Sequence, residues 1–90
     1  MSAIVPGLIR TYRGRPGCGC GCKGTYAEPN TKAAKARTRA FLRGIAAGES
    51  HIVSDHRDGE TCIALESETR YIWLYFNSRK AAEMFISNAV

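Results

Sequence analysis

The sequence predicts a small two-layer α+β domain in which two helices pack on one face of an antiparallel sheet. Two segments space their apolar residues as a helix does, and the stretch between them alternates with a period of two. Asp58-Gly59 adds a strong hairpin signal inside that stretch. Ninety residues suffice for one modest core, so residues 1–90 are predicted to form a single domain with the order α-β-β-β-α over residues 31–90.

Residues 1–29 are predicted to hold a short strand followed by a long loop rich in glycine and cysteine. Residues 8–12 alternate weakly between apolar and polar, which favours a strand. Residues 13–29 contain five glycines and two prolines, a composition typical of irregular structure. A loop of this length in a small domain is expected to be functional or held by a bridging group.

The first helix is predicted to run to residue 46, with Asn30 or Thr31 as its N-cap and Gly48 as its stop. A helical projection gives it one apolar side and one cationic side. The apolar stripe consists of Ala34, Thr38, Phe41, Leu42 and Ile45. The cationic stripe consists of Lys32, Lys35, Arg39 and Arg43.

Residues 51–56, 61–66 and 71–76 are predicted to form a three-stranded antiparallel meander. Two-residue turns at Asp58-Gly59 and near Glu68-Thr69 would place Ile52 opposite Leu65 and Leu65 opposite Ile72. The aliphatic face would then carry Ile52, Ile63, Leu65, Ile72, Leu74 and Phe76. The other face would carry His51, Val53, Asp55, Cys62, Ala64, Tyr71, Trp73 and Tyr75.

A last helix is predicted to follow, capped by Asn77 or Ser78 and ending at residue 89. Its apolar residues fall on one side, so both helices are expected to cover the aliphatic face of the sheet. The cysteine loop is expected near the opposite face, where it would cover a row of aromatic side chains, or at an edge. That aromatic row would otherwise be able to stack single-stranded bases.

The charge of the chain is divided unevenly between its two halves. Residues 1–43 hold nine Lys or Arg against the single acid Glu28, whereas residues 44–90 hold four against seven acids. Such asymmetry indicates a surface that meets a polyanion or an acidic protein.

No apolar run approaches the ~20 residues of a membrane span, and the N-terminus lacks the features of a secretory signal. A cytoplasmic protein without a membrane partner is therefore expected.

Three cysteines alternate with glycine at Cys18, Cys20 and Cys22. In the cytoplasm these thiols and Cys62 would stay reduced, which favours a structural metal, most naturally zinc, over disulfides. Cysteines two positions apart lie about 6.6 Å from each other along an extended chain, whereas thiolates around zinc lie about 3.8 Å apart, so the loop would have to coil. The predicted register brings Cys62 and His51 to one face as further ligands, with His56 as an alternative. Free thiols and a strained Cys-x-Cys disulfide are the competing interpretations.

Other chemistry is poorly matched by the sequence. Gly19, Gly21 and Gly24 have the spacing of a dinucleotide-binding loop, but Pro29 stands before the helix and Arg39 occupies the place of the required acid. No spacing brings a histidine base to a cysteine nucleophile. The chain is therefore predicted to be a binding module and not an enzyme.

Two binding hypotheses follow. In the first, the cationic stripe of the first helix, together with Arg13 and Arg15, neutralises nucleic-acid phosphates. In the second, the cysteine loop is a scaffold, and the same basic helix docks an acidic protein of a host cell as an inhibitor or interaction module.

Three local resemblances accompany these hypotheses. Ser78-Arg79-Lys80-Ala81-Ala82 resembles the Ser-Lys-Lys-x-Ala helix start of double-stranded RNA-binding domains, whose α-β-β-β-α order also matches, although Phe76-Asn77 replaces that family's glycine-rich approach. Residues 76–85 resemble the strand-to-helix junction of phage integrase arm-binding domains. Residues 14–26, Gly-Arg-Pro-Gly-Cys-Gly-Cys-Gly-Cys-Lys-Gly-Thr-Tyr, resemble a signature in small uncharacterised proteins of phages that infect actinobacteria. The last resemblance implies a phage product acting in the bacterial cytoplasm.

Overall fold

The computed structural model of the chain describes residues 5–14, 24–67 and 71–89. Within them the elements are β1 Leu8–Arg13, β2 Thr25–Ala27, α1 Lys32–Ala46, β3 His51–Asp55, β4 Thr61–Glu66, β5 Tyr71–Phe76 and α2 Arg79–Ala89. The predicted α+β class is confirmed, and so are both helices. The sheet is larger than the predicted meander because two N-terminal strands join it.

The five strands form one antiparallel sheet in the order β2-β1-β5-β4-β3. The predicted first strand, β1, lies beside β5, and its register shifts between Leu8 and Arg10. β2 was not predicted, because only two residues of high strand propensity, Thr25 and Tyr26, lie between Gly24 and Pro29. Its pairing with β1 places Arg13 opposite Thr25.

The predicted register of β4 against β5 is confirmed, with Leu65 opposite Ile72 and Ile63 opposite Leu74. The predicted register of β3 against β4 is wrong by one residue, because Val53 and not Ile52 lies near Ile63 on the aliphatic side.

The cause of this shift is the turn that joins the two strands. His56 donates its N–H to the carbonyl of Glu60 at 2.7 Å, which leaves a three-residue loop instead of the predicted two-residue turn. Asp58 and Gly59 both adopt positive φ, +60° and +77°, within that loop. The one-residue slip moves every β3 side chain to the other face. His51, Val53 and Asp55 therefore lie on the helix side, and Ile52 lies on the aromatic side, where it is 64% exposed.

The core lies between the aliphatic face of the sheet and the two helices. Ile63, Leu65, Leu74 and Phe76 are fully buried on that face, and Phe41 of α1 is buried above them. α1 packs over β1 and β5, and α2 over β4 and β5. The predicted apolar stripe of α1 faces this core, since Ala34, Thr38 and Phe41 are buried.

Polar caps fix where the two helices begin. Thr31 Oγ1 accepts the N–H of Ala34 at 3.1 Å, and Ser78 Oγ accepts the N–H of Ala81 at 3.2 Å, so each helix starts at one of its two predicted caps. Among the described residues, neither helix is long and apolar enough to cross a bilayer.

Candidate nucleic-acid interface

The cationic stripe predicted on α1 lies on the outer surface of the molecule. Lys32, Lys35, Arg39 and Arg43 are all exposed, on the side of the helix that faces away from the buried residues. A rise of about 1.5 Å per residue spreads the four charges over about 16 Å along one helix. We call these four residues the α1 stripe.

Within the described parts of the chain, no residue of the α1 stripe forms an ion pair. Other arginines are paired with acids. Arg10 lies 2.8 Å from Glu60, and Arg79 bridges Asp55 at 2.9 Å and Glu83 at 3.1 Å. The acids near the sheet thus neutralise neighbouring arginines, whereas the outer face of α1 keeps its positive charge.

Arg37 belongs to the same helix but hydrogen-bonds to the sheet. Its guanidinium donates to the carbonyl of Thr25 at 3.1 Å, to Thr25 Oγ1 at 2.6 Å, and at 3.4 Å to both the carbonyl and Oγ1 of Thr11. Burial, followed by the nearby charge of Arg13, lowers the pKa of Arg37 below its ordinary value. Arg37 ties β1 and β2 to α1 and is therefore a structural residue.

Arg13, predicted to bind the same partner as the α1 stripe, is exposed at the end of β1. Its position opposite Ile72 of β5 places Arg13 on the helix side of the sheet, close enough to Arg37 to affect the pKa of Arg37. Arg13 thus extends the positive surface beside α1. Arg15, the other predicted contact in this region, lies outside the described residues.

Six side chains form an aromatic cluster on the opposite face of the sheet: Tyr12, Tyr26, His56, Tyr71, Trp73 and Tyr75. Neighbouring ring centroids lie 4.8 to 6.4 Å apart, the spacing of rings in direct contact. The sequence predicted Tyr71, Trp73 and Tyr75 on this face, but not Tyr26, because β2 was not predicted. A methyl group at Gly14 or Gly24 would strike the ring of Tyr12, so both glycines are needed for the backbone to approach this cluster.

Two acids, Glu60 and Glu66, border the aromatic cluster. Arg10 lies over the ring of Tyr75, 4.5 Å from its centroid, and pairs with Glu60. The hydrogen bond from Arg10 holds the pKa of Glu60 below its ordinary value. Trp73 donates its indole N–H to Glu66 at 2.9 Å. A surface with acids at two of its edges is a poor site for phosphates, which favours the α1 stripe as the polyanion contact.

The predicted metal ligands fall into two groups. Cys18, Cys20 and Cys22 lie outside the described residues. Cys62 is buried on the aromatic face, opposite Ser54, whereas His51 lies opposite Leu65 on the helix side. The expectation that Cys62 and His51 share one face is therefore wrong, because the shifted β3 register separates them.

The chemistry of Cys62 is that of an enclosed thiol. Burial raises its pKa to about 11, and Arg10 and a hydrogen bond with Tyr75 offset that effect only in part. Among the described residues, no three His, Cys, Asp or Glu side chains are grouped so that they could hold a metal ion. Zinc bound by the three loop cysteines stays a prediction.

No family model matches the chain, and neither a curated protein nor a solved structure matches it. The three sequence resemblances, to double-stranded RNA-binding domains, integrase arm-binding domains and actinobacteriophage proteins, therefore stay predictions.

Proposed function

We propose that this protein is a non-enzymatic module that binds nucleic acid by its phosphates, through the α1 stripe. The observation that carries the proposal is that four exposed cations on one helix face have no acidic partner within the described residues. Unpaired Lys and Arg displace counterions from a phosphate backbone, and this release drives association.

The composition of the stripe favours backbone contact over sequence reading. The exposed residue Ala36 lies between its cations and the exposed residue Ala46 follows Arg43, and neither alanine side chain can form a hydrogen bond with a base edge. Phosphate contacts position a protein on a nucleic acid but carry no sequence information. Binding is therefore expected to be general for sequence and steeply dependent on salt.

The test compares two double variants that each remove two positive charges. Lys35→Ala with Arg39→Ala removes the centre of the stripe, and Arg57→Ala with Lys80→Ala removes two exposed cations elsewhere. We expect the stripe variant to lose most of its affinity for a random duplex in fluorescence anisotropy. Its plot of log affinity against log salt should flatten by about 1.8, since each phosphate contact contributes about 0.9.

The control variant should keep the slope of the unmodified protein. Equal loss in the two variants would mean that net charge, and not the α1 stripe, determines binding. If the unmodified protein binds neither duplex DNA, duplex RNA nor single strands at low salt, the proposal is wrong and the acidic-protein hypothesis takes its place.

We propose zinc as a structural metal bound by the loop cysteines. We also propose the cytoplasm as the compartment of the protein, and this would be the cytoplasm of a bacterial host if the phage resemblance holds. Elemental analysis of protein purified without a metal-affinity tag should then find about one zinc per chain. Less than about a tenth of an equivalent would refute the metal. This outcome is independent of the α1 stripe, whose residues lie in a different part of the chain.

A further inference from the structure

The two edges of the sheet differ in how much backbone they leave unpaired. β2 and β3 are the outer strands, and in the described residues each pairs with a neighbour on one side only. In an antiparallel ladder, alternate residues direct both their N–H and C=O groups toward a given side. Which residues face outward follows from the bonds that the structure contains.

On β3 the outward residues are His51, Val53 and Asp55. The N–H of His56 bonds to the carbonyl of Glu60, so these two residues form a hydrogen-bonded pair of the ladder. By alternation, the backbone groups of Ser54 and Ile52 also point toward β4. The backbone groups of His51, Val53 and Asp55 therefore point away from β4. The hydrogen bonds between β1 and β5 agree with this alternation. Continued across the sheet, it predicts a hydrogen-bonded pair of Gly14 and Tyr71, and the N–H of Gly14 does donate to the carbonyl of Tyr71. By contrast, the three-residue β2 turns only Tyr26 outward.

The edge of β3 has little of the usual protection against strand addition. Natural edge strands carry charged side chains, most often lysine, or proline or a bulge, or are very short, and of these β3 has only the carboxylate of Asp55 at its end. β3 has five residues, His-Ile-Val-Ser-Asp, in unbroken register with β4, and Ile52 is 64% exposed on it. Such a strand is open to a further antiparallel partner.

We propose that this partner is β3 of a second copy, paired antiparallel about a two-fold axis at Val53. This register brings all three outward residues into bonded pairs, Val53 with itself and His51 with Asp55 of the second copy, for about six backbone hydrogen bonds. His51 and Asp55 are complementary, since an imidazole N–H would face a carboxylate acceptor. Both copies contribute the same pair, which is the self-complementarity that a two-fold interface requires.

The side chains favour this register over its neighbour. A two-fold axis at Ile52 would oppose His51 to Val53 and Asp55 to Glu49, bringing two acids together. With the axis at Val53, Ile52 instead meets Ser54 of the second copy and lies diagonal to the second Ile52, which covers its exposed side chain. Asp55 uses Oδ1 for Arg79 and remains 78% exposed, so it is accessible to the second copy.

The test measures mass in solution by sedimentation velocity over a range of protein concentrations. We expect reversible dimers of the unmodified protein. Ile52→Lys places a lysine on the edge strand of each copy, and the two lysines would lie diagonal to each other across the interface. Their repulsion should raise the dissociation constant of the dimer at least about tenfold. Met84→Lys is the matched control. Met84 is 55% exposed on α2, so this substitution adds the same charge at a site away from the β3 edge.

A charge exchange tests the register. His51→Asp should weaken the dimer by opposing two acids, and adding Asp55→His to it should restore association. Circular dichroism of each variant shows that it is folded. The proposal is overturned if the unmodified protein is monomeric at all concentrations, if Ile52→Lys and Met84→Lys behave alike, or if the exchange does not restore the dimer.

Discussion

Among single residues, Gly7 and Gly48 have the same backbone conformation and different surroundings. Their φ angles are +83° and +85°. A Cβ at Gly7 would lie 2.5 Å from Cβ of Ala81, and the carbonyl of Gly7 accepts the N–H of Asn77, so this turn is packed directly on the start of α2. Nothing lies within 4 Å of a Cβ at Gly48.

Gly7→Ala should therefore destabilise the protein by about 3 kcal/mol, the sum of a left-handed backbone penalty and an overpacked contact. Gly48→Ala carries only the first penalty and should cost about 1 kcal/mol. Urea unfolding followed by Trp73 fluorescence gives both values. Equal costs would show that the Gly7 turn moves away from α2 without penalty.

Cys62 makes stability depend on alkaline pH. Its native pKa is raised to about 11, whereas an unfolded thiol ionises near 9, so the native state holds the extra proton between these values. Stability from this group is complete below pH 9 and is lost as pH rises toward 11. The free energy of unfolding of the unmodified protein should fall more steeply over that window than that of Cys62→Ala. Parallel curves would contradict the burial of the thiol.

Among the elements, β2 is expected to owe its stability more to contacts with α1 than to its own three residue pairs with β1. Three residues pair with β1, and the Arg37 guanidinium holds Thr25 and Thr11 from above. A helix residue thus completes a strand that is too short to be stable alone.

Arg37→Ala should raise the hydrogen-exchange rate of the bonded amides of Thr25 and Ala27 by about five- to tenfold, the effect of about 1 kcal/mol of lost hydrogen bonding. Arg39→Ala removes the same charge from the exposed side of the helix and should leave these rates unchanged. Similar exchange in the two variants would mean that β2 is held by its ladder with β1 and not by Arg37.

In the molecule as a whole, three phenylalanines join both helices to the sheet. Phe85 of α2 lies 5.8 Å from Phe41 of α1 and 5.4 Å from Phe76 of β5, measured between ring centroids. All three rings are buried. We therefore expect Phe85 to couple the packing of the two helices with that of the sheet.

Phe41→Ala should cost about 3 to 5 kcal/mol, a large part of the 5 to 15 kcal/mol that holds a domain folded. Combined with Phe85→Ala in a double-mutant cycle, it should reveal a coupling energy of at least about 0.5 kcal/mol. Met84→Ala, on the exposed side of α2, should cost less than about 0.5 kcal/mol. Strict additivity of the two phenylalanine variants would show that the helices stabilise the sheet separately.

Patterns within one element determined both helices and their caps, and the alternation of two consecutive strands determined the pairing of β4 with β5. Apolar residues at helical spacing need only a neighbouring surface to pack against, and Thr31 and Ser78 cap their helices through contacts three residues away. The cationic stripe follows from the same spacing, because residues three and four positions apart lie on one helix face whatever the rest of the chain does.

Contacts that no residue pattern shows decided the rest, both within a turn and between separate elements. The Asp58-Gly59 signal located the hairpin, but the bond between His56 and Glu60 set its loop length, and one residue of slip exchanged the faces of His51 and Ile52. Arg37, twelve residues beyond Thr25, binds the backbone of β2, and no pattern within residues 25–27 shows that contact. The sequence by itself therefore determined the fold class and the cationic face of α1. Only the tertiary structure decided which strands form the edges and which residues they turn outward, since strand pairing depends on chain segments that local patterns do not connect.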